Sequence, residues 1–304
     1  MSVRVSTGVR LHFGPLAWKG KGPKFGGLGL MVRGENLEQS LSATPADDWS
    51  FEGSEQSRAR LQPTIDRLRQ TDLRPVRWVE SPASVPAHCG LGSGTQLACL
   101  AVAAAVRANG RELPNAAQLA LWTGRGDRSW LGLHGFLGGG LMLDAGQVDR
   151  VGVLASRVAC PGVVLLATDG PAGLSGPREE AAFAALPPMG AGVTGRLCDL
   201  ATRHVIAGAA AENFRLFADG LTEFGLLVGE FFHEAQGGRF ADATWEDRLR
   251  KLREVGPVAV AQSSWGPTVV VICEDEQAAD RVRARTPDVA YVKAEAVRPS
   301  GSTR

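Results

Sequence analysis

The chain has 304 residues and a net charge of +1, from 33 Lys and Arg against 32 Asp and Glu. At about 150 residues per domain, that length suggests two domains or one large one, with enough chain to bury a core unaided by staples. The even charge excludes a global basic field for a nucleic-acid backbone and leaves only a local anion pocket open.

Residues 2–13 alternate, with Val3, Val5, Val9 and Leu11 on one side and Arg4, Ser6, Arg10 and His12 on the other, which predicts a strand with one buried face. A glycine-rich turn at 20–27 leads to a second strand, Leu28–Arg33, and the polar, acidic stretch 35–55 reads as a surface loop. A helix is expected from Ser57 to Arg69, with Pro63 as its weak point, followed by a short strand at Arg77–Val79. The loop 86–95 runs into Gln96–Ala108, which lacks internal glycine and proline. This reads as a buried helix started by Ser93 or Thr95 and stopped at Asn109-Gly110. Pro114 opens another helix that ends at Gly124, and a second glycine-rich loop, 124–140, feeds a strand at Leu141–Asp144.

The texture changes around 151–168, which divides the chain into 1–157 and 158–304. Val163–Ala167 is a continuous apolar strand, followed by a proline- and glycine-marked loop and by helical stretches at 196–209 and 212–235. A charged helix, Trp245–Glu254, precedes strands at Val258–Gln262 and Thr268–Cys273, a helix at Glu276–Arg285 and a last strand at Ala290–Ala294. A strand–strand–helix–strand ending marks an α+β layer, and the tail 299–304 is expected to fray.

The 38 glycines, one residue in eight, are nearly twice the usual share of about 7%, and their clustering in a few loops points to ligand-handling backbone. Cys89, Cys99, Cys160, Cys198 and Cys273 are odd in number and widely spaced, with no Cys-x-x-Cys pair, which argues against a disulfide framework and a zinc knuckle. The five histidines show no His-x-x-x-His spacing, so a zinc site is disfavoured. No apolar run reaches about 18 residues before charge or glycine interrupts it. The expectation is a cytoplasmic protein with no membrane partner.

The strongest local signal is Gly90-Leu91-Gly92-Ser93-Gly94-Thr95 at the start of a helix. Glycines let backbone N–H groups approach a phosphate, and a helix N-terminus adds about half a positive charge. No Lys-Ser or Lys-Thr pair follows, so this is not a P-loop, and no strand–Gly-x-Gly-x-x-Gly unit is present. A tight turn that binds nothing is the bland alternative.

Three further segments stand with it: Arg10-Leu11-His12-Phe13-Gly14, the stretch Gly124-Arg125-Gly126 to Gly138-Gly139-Gly140, and Gln262-Ser263-Ser264-Trp265-Gly266-Pro267-Thr268. An early strand, a central glycine loop and a late Ser/Gly turn resemble the three motifs of the GHMP kinase superfamily. The detailed match is narrower. The segments RLHFG, PAHCGLGSGTQLA, GRGDRSWLGLHGFLGGG, AENFRLF, QGGRF and AQSSWGPTVVVI, in order from about residue 6 to 285, resemble the β-ribofuranosylaminobenzene 5′-phosphate synthases of methanopterin biosynthesis. That resemblance implies an α+β, two-domain GHMP kinase-like fold, with a ribosomal-protein-S5-like N-terminal domain and a ferredoxin-like C-terminal domain. It also implies decarboxylating phosphoribosyl transfer from 5-phosphoribosyl-1-diphosphate to 4-aminobenzoate. The expected partners are these two substrates, with Mg²⁺ as cofactor, no nucleic acid, and a homodimer left open.

That chemistry assigns expectations to residues. Gly90, Gly92, Ser93, Gly94, Thr95, Ser263, Ser264, Trp265, Gly266 and Lys24 are expected to bind phosphate or substrate. Arg125 and Arg128 are the best-placed cations for a phosphate or carboxylate, which an arginine fork binds bidentately; solvated surface arginines are the alternative. Asp127 is the candidate Mg²⁺ ligand or a plain turn residue, and Asp144 a weaker metal or cation-stabilising candidate. His12 is a candidate donor to the carboxylate or a ribose hydroxyl, against a packed strand histidine; His88 and His134 share that ambiguity, and His204 and His233 read as structural. Trp265 and Phe136 are candidates to stack on the acceptor ring or to plug their loops onto the core. Cys89 reads as packing.

Ala261 stands where the GHMP pattern usually has glycine, Trp265 fills space that kinases leave for nucleotide, and no counterpart of the kinases' Asp/Lys pair is evident. Those departures favour the synthase. Trp130 is larger than the synthase pattern suggests, which puts the acceptor pocket in question. An ATP-dependent small-molecule kinase and a catalytically silent ligand-binding paralogue are the alternatives.

Overall fold

Gly8 divides the N-terminal alternation into two strands, and a Cβ there would sit 2.1 Å from the Val32 carbonyl oxygen. Only glycine lets the chain pass so close. In the computed structural model, which describes residues 2–19, 25–82, 85, 89–170 and 176–299, β1 (Val3–Thr7) and β2 (Val9–Gly14) belong to different sheets. Lys24, His88, the 20–24 part of the first glycine turn and the tail from residue 300 lie outside the described residues.

The chain continues through β3 (Gly27–Arg33), β4 (Gln39–Pro45), β5 (Ser50–Glu52), α1 (Glu55–Leu68), β6 (Val76–Glu80), α2 (Ser93–Ala108), α3 (Ala116–Thr123), α4 (Leu131–Gly138), β7 (Leu141–Val148) and β8 (Val151–Val158). The second half carries β9 (Val163–Ala167), α5 (Gly176–Ala185), α6 (Ala191–Asp199), a π-helical stretch Leu200–Ile206, α7 (Ala207–Ala210), α8 (Phe214–Gln236), α9 (Thr244–Arg253), β10 (Val258–Gln262), β11 (Val269–Cys273), α10 (Glu276–Arg285) and β12 (Tyr291–Ala296).

The smaller sheet, in the order β1-β4-β6-β5, covers α2. Side chains from Gln96 to Val106 are all buried, and Leu97, Leu100, Ala101 and Ala104 pack with Leu41, Leu61, Leu68 and Trp78. The larger sheet runs β10-β11-β9-β12-β3-β7-β8, with β2 also paired to β3. Its C-terminal strands are covered on both faces: Leu166, Ala261, Val270 and Ile272 pack with Phe217, Leu221 and Phe224 of α8. Leu165, Val260, Val269 and Val271 pack with α9 and α10 through Trp245, Leu249 and Val282. Two-sided burial accounts for their continuous rather than alternating apolar runs. Pairing of Glu295 and Ala296 in β12 with Arg33 and Val32 in β3 joins the strands of the two halves.

Several expectations need correction. The stretch 35–55 is not a loop: Leu41 and Ala43 alternate inward between Ser40, Ser42 and Thr44, a strand period hidden by its small polar residues. The glycine loop 124–140 contains α4, whose Gly132 and Gly135 sit where a Cβ would approach Thr95 Cγ2 at 2.8 Å and Met31 Sδ at 2.6 Å. Those glycines serve close packing, not a turn. Strand β8 and helix α5 occupy parts of stretches that the sequence reading left without elements, and α1 runs through Pro63 without ending.

Trp78 ties the smaller sheet to α2, its Nε1 donating to the Ala101 carbonyl at 3.0 Å from a fully buried position. Trp78→Phe is expected to lower the unfolding free energy by about 1–3 kcal/mol in urea titration, through lost volume and a lost buried hydrogen bond.

Candidate active site

Four backbone and side-chain bonds bring the early strand, the central glycine loop and the late turn together. The Arg10 N–H donates to the Leu91 carbonyl at 3.0 Å, and the Ser264 N–H donates to the His12 carbonyl at 2.8 Å. Ser263 completes the set: its Oγ accepts from the His12 N–H at 3.0 Å and donates to the Gly90 carbonyl at 2.7 Å. Gly90 (φ +77°) must be glycine here, since a Cβ would lie 2.3 Å from the Ser263 carbonyl oxygen. Gly92 (φ +66°) must be too, because a Cβ would lie 2.8 Å from Arg10 Nε.

Gly92 caps α2 without any side-chain cap bond, so the amides of Ser93 and Gly94 stay available to an anion, while the Thr95 N–H donates to the Gly92 carbonyl at 3.1 Å. They open into a cleft of about 500 Å³, within the range of small-ligand sites. Four arginines line it: Arg10, Arg60, Arg125 and Arg128. Asp127 and Glu179 are its only carboxylates among the described residues. Trp18, Phe25, Phe183, Phe232 and Trp265 make an aromatic wall. In that wall the Phe183 ring lies 4.9 Å from both Trp18 and Trp265, and Phe232 lies 4.4 Å from Trp265.

The cations differ in their surroundings. Among the described residues, the Arg10 side chain makes no hydrogen bond or ion pair, and its Nε is buried without a partner. Burial pushes its pKa down to about 10, against the upward pull of Glu179 and with a further push from Arg128. Arg128 pairs with Glu179 at 3.6 Å and lies 4.5 Å over the Phe183 ring. Burial also lowers the pKa of Arg125, whose charged neighbours include Arg60, Arg67 and Asp127. Gln147 Nε2 donates to the carbonyls of Gly126 and Asp127 at 2.6 and 3.0 Å, and so fixes the backbone between Arg125 and Arg128. Burial first, and Arg10 second, hold the His12 pKa down to about 3, so its imidazole is neutral at physiological pH.

The structure brings most of the candidate residues to this cleft: His12, Gly90, Gly92, Ser93, Gly94, Thr95, Arg125, Asp127, Arg128, Ser264, Trp265 and Gly266 all line it. Two others face elsewhere. Ser263 is fully buried with its hydroxyl committed to the loop bracket. Asp144 is buried beneath the arginine loop, accepting from the Trp130 and Gly146 N–H groups at 3.0 and 2.9 Å; it anchors the start of α4. Trp130 is buried against Gly152, outside the cleft lining, so its bulk does not fill the cleft. Phe136 packs on the core around α2, and His134 is buried with Nε2 3.3 Å from the Gly152 carbonyl. Burial raises the Cys89 pKa, as suits an unreactive thiol. No group of three or more His, Cys, Asp or Glu side chains among the described residues is arranged to hold a metal ion.

The sequence reading missed Arg10, Arg60, Glu179 and most of the aromatic wall. Arg10 was legible: it stands two residues before His12, so the strand period puts both on one face. Arg60 gave no signal within a helix rich in charged residues.

The chain matches the GHMP kinases N terminal domain over residues 61–132 and the GHMP kinases C terminal family over residues 205–291, together more than half of its length. It is 26% identical to a protein of Methanothermobacter thermautotrophicus named beta-ribofuranosylphenol 5′-phosphate synthase, over 90% of this chain and 89% of that one. A protein of the same name from Methanocaldococcus jannaschii is 30% identical over 47% of each chain. Among solved structures, phosphomevalonate kinase of Streptococcus pneumoniae superposes with a TM-score of 0.71 at 13% identity, covering 98% of this chain and 100% of that one. Mevalonate pyrophosphate decarboxylase of Streptococcus pyogenes gives 0.69 at 12% identity, covering 100% and 98%. These likenesses establish the fold.

His12 carries a direct test of the cleft's electrostatics. Its ring resonances are expected not to titrate between pH 5 and 8. The unfolded chain takes up the proton near 6.5 while the folded chain does not, so stability falls as pH drops from about 6.5 toward 3. His12→Gln should make that acid loss shallower in urea titrations at each pH.

Proposed function

The chain belongs to the GHMP kinase family, and within that fold we propose that it transfers a phosphoribosyl group to a ring carbon of a para-substituted benzoate with loss of carbon dioxide. The observation that carries this reading is the pairing, in one cleft, of four arginines and a free helix N-terminus with a five-membered aromatic wall. The first set suits a diphosphate leaving group and the second a flat acceptor. The relatives are named for a ribofuranosylphenol 5′-phosphate, whereas the sequence motifs suggested the aminobenzene counterpart. The two differ by hydroxyl or amine at one ring position, and either group donates electrons to the opposite carbon.

The donor is 5-phosphoribosyl-1-diphosphate. The ring carbon bearing the carboxylate bonds to the anomeric carbon as the bond from that carbon to the diphosphate oxygen breaks and its electron pair leaves with the diphosphate. The electrons of the ring-to-carboxylate bond then return to the ring, and carbon dioxide departs. Since carbon dioxide rather than a proton leaves the ring, that step needs no general base. This accords with a cleft whose histidine is held neutral and whose own basicity is suppressed. Arg10, Arg128 and the amides at the start of α2 stabilise charge on the leaving group. Glu179, beside Arg128 and Phe183, offers a negative charge to the developing oxocarbenium ion.

Among the described residues the donor set does not form a protein-built metal cage, but it fits a magnesium ion that enters chelated by diphosphate, with Asp127 adding a carboxylate. Bound in that way, the ion would neutralise leaving-group charge.

Purified protein given the donor, magnesium and carboxyl-labelled 4-hydroxybenzoate or 4-aminobenzoate is expected to release labelled carbon dioxide and diphosphate in equal amounts with at least one acceptor. Phe183→Ala should raise the acceptor KM about tenfold, the loss of roughly 1.4 kcal/mol of aromatic contact, and raise the donor KM less, through the Arg128 guanidinium stacked on that ring. Turnover of ATP to ADP without carbon dioxide release would replace this reading with a kinase.

A further inference from the structure

The turn between β10 and β11 carries a group that the fold itself does not use. From Val258 to Cys273 every residue is buried except Ser264, and Ser264 lines the cleft. Its φ is +55°, in the left-handed region that glycine occupies freely and serine only under strain. Seven non-glycine residues among those described have such a φ, and two of them, Phe25 and Ser264, line this cleft. The Ser264 N–H donates to the His12 carbonyl at 2.8 Å, and its carbonyl accepts from Gln262 Nε2 at 3.0 Å. The Ser264 hydroxyl makes no hydrogen bond among the described residues. Glycine would keep both backbone bonds without the strain, so what serine adds at this position is the hydroxyl.

The strained turn is held from behind, outside the cleft. Gln262 is buried and is not part of the cleft lining. Besides its bond to Ser264, its Nε2 donates to Gln236 Oε1 at 3.0 Å, and its Oε1 accepts from the Ala241 N–H at 2.7 Å. Gln236, the last residue of α8, donates through Nε2 to the Gly238 and Arg239 carbonyls at 2.9 and 3.1 Å. The segment QGGRF at 236–240, conspicuous in the sequence but absent from the cleft lining, therefore clamps the late turn.

We propose that the Ser264 hydroxyl donates a hydrogen bond to the donor's diphosphate, and that Gln262 and Gln236 are positioning residues that hold it in place. This assignment rests on the phosphoribosyl reading above. The diphosphate is the group within reach because the turn adjoins the start of α2. Ser263, one residue away, donates through Oγ to the Gly90 carbonyl at 2.7 Å, and a Cβ on Gly90 would lie 2.3 Å from the Ser263 carbonyl oxygen. Gly92, the N-cap that leaves the Ser93 and Gly94 amides free, follows two residues after Gly90. A hydroxyl beside those amides adds one more donor for a phosphoryl oxygen, and a bond to an ionised acceptor is stronger than a neutral one. Because the glutamine pair fixes the turn before any ligand arrives, the hydroxyl needs no reorganisation to make that bond.

The test pairs calorimetric titration with inorganic diphosphate plus magnesium and urea unfolding without ligand. Ser264→Ala and Ser264→Gly are both expected to weaken diphosphate about tenfold, the loss of one hydrogen bond to a charged group. Ser264→Gly should also unfold at a urea midpoint equal to or above that of wild type, because the strain leaves with the side chain. A serine with a merely structural role would not give weaker binding together with undiminished stability. Gln262→Leu should weaken diphosphate by a similar factor without touching it, and adding Ser264→Ala should then cost less than about a further threefold. Gln236→Ala, which removes the next link of the clamp, serves in its place if Gln262→Leu does not fold. Wild-type affinity in both serine variants, or a lowered midpoint in Ser264→Gly, would overturn the proposal and leave the phosphoribosyl reading intact. Fully additive losses in the double variant would overturn the positioning role of the glutamines. A wild-type protein that binds no diphosphate would overturn the proposal and that reading together.

Discussion

A guanidinium enclosed without a bonded counter-ion is the constraint around which this site is built. Arg10 lies against Gly92 so closely that any side chain there would collide with it, and its Nε is buried with no partner among the described residues. An unpaired charge in such a place opposes folding. The fold sets it beside the uncapped start of α2, with Arg128 and Glu179 as its charged neighbours. Donors outnumber the single carboxylate of Glu179 beside Arg10 and Arg128, and burial keeps the neighbouring His12 neutral rather than adding another cation.

Holding such a set in place requires rigid support, which comes from two distant parts of the chain. The hydroxyl of Ser263 bonds to both residue 12 and residue 90, so the N-terminal strand, the helix-opening loop and a C-terminal turn are fixed by one buried oxygen. Asp144 and Gln147 do the same for the arginine loop from below, through the Trp130 N–H and the carbonyls of Gly126 and Asp127. Pairing of β12 with β3 makes the strands that carry these groups one sheet. The cleft is thereby preorganised, and binding energy need not be used to assemble it.

Much of the fold was legible because its signals are local. The glycine-to-helix transition at 90–95, the long apolar α2 and the closing strand–strand–helix–strand unit all follow from periodicity and caps. What escaped was pattern disguised by composition. Leu41 and Ala43 alternate among serines and read as loop, and the glycines of α4 mark close contacts with Thr95 and Met31, not turns. In the site, the loops announced themselves through glycine, whereas the aromatic wall did not. Trp18, Phe183 and Phe232 come from segments far apart in sequence and meet only in space. Asp144 and Ser263 carried the right chemistry for contact with a ligand, but the fold uses both as internal brackets, a distinction that depends on tertiary placement.

The account turns on Arg10 being kept for a ligand at the expense of stability. The most direct measurement is the urea unfolding of wild type and Arg10→Met, each with and without inorganic diphosphate and magnesium. Without ligand, the variant is predicted to be as stable as wild type or more so, by up to about 1 kcal/mol, because an apolar side chain replaces an unpaired buried charge. Added diphosphate should raise the wild-type midpoint and leave that of the variant nearly unmoved. A ligand-free variant less stable than wild type by more than about 1 kcal/mol, or one stabilised by diphosphate as strongly as wild type, would contradict it.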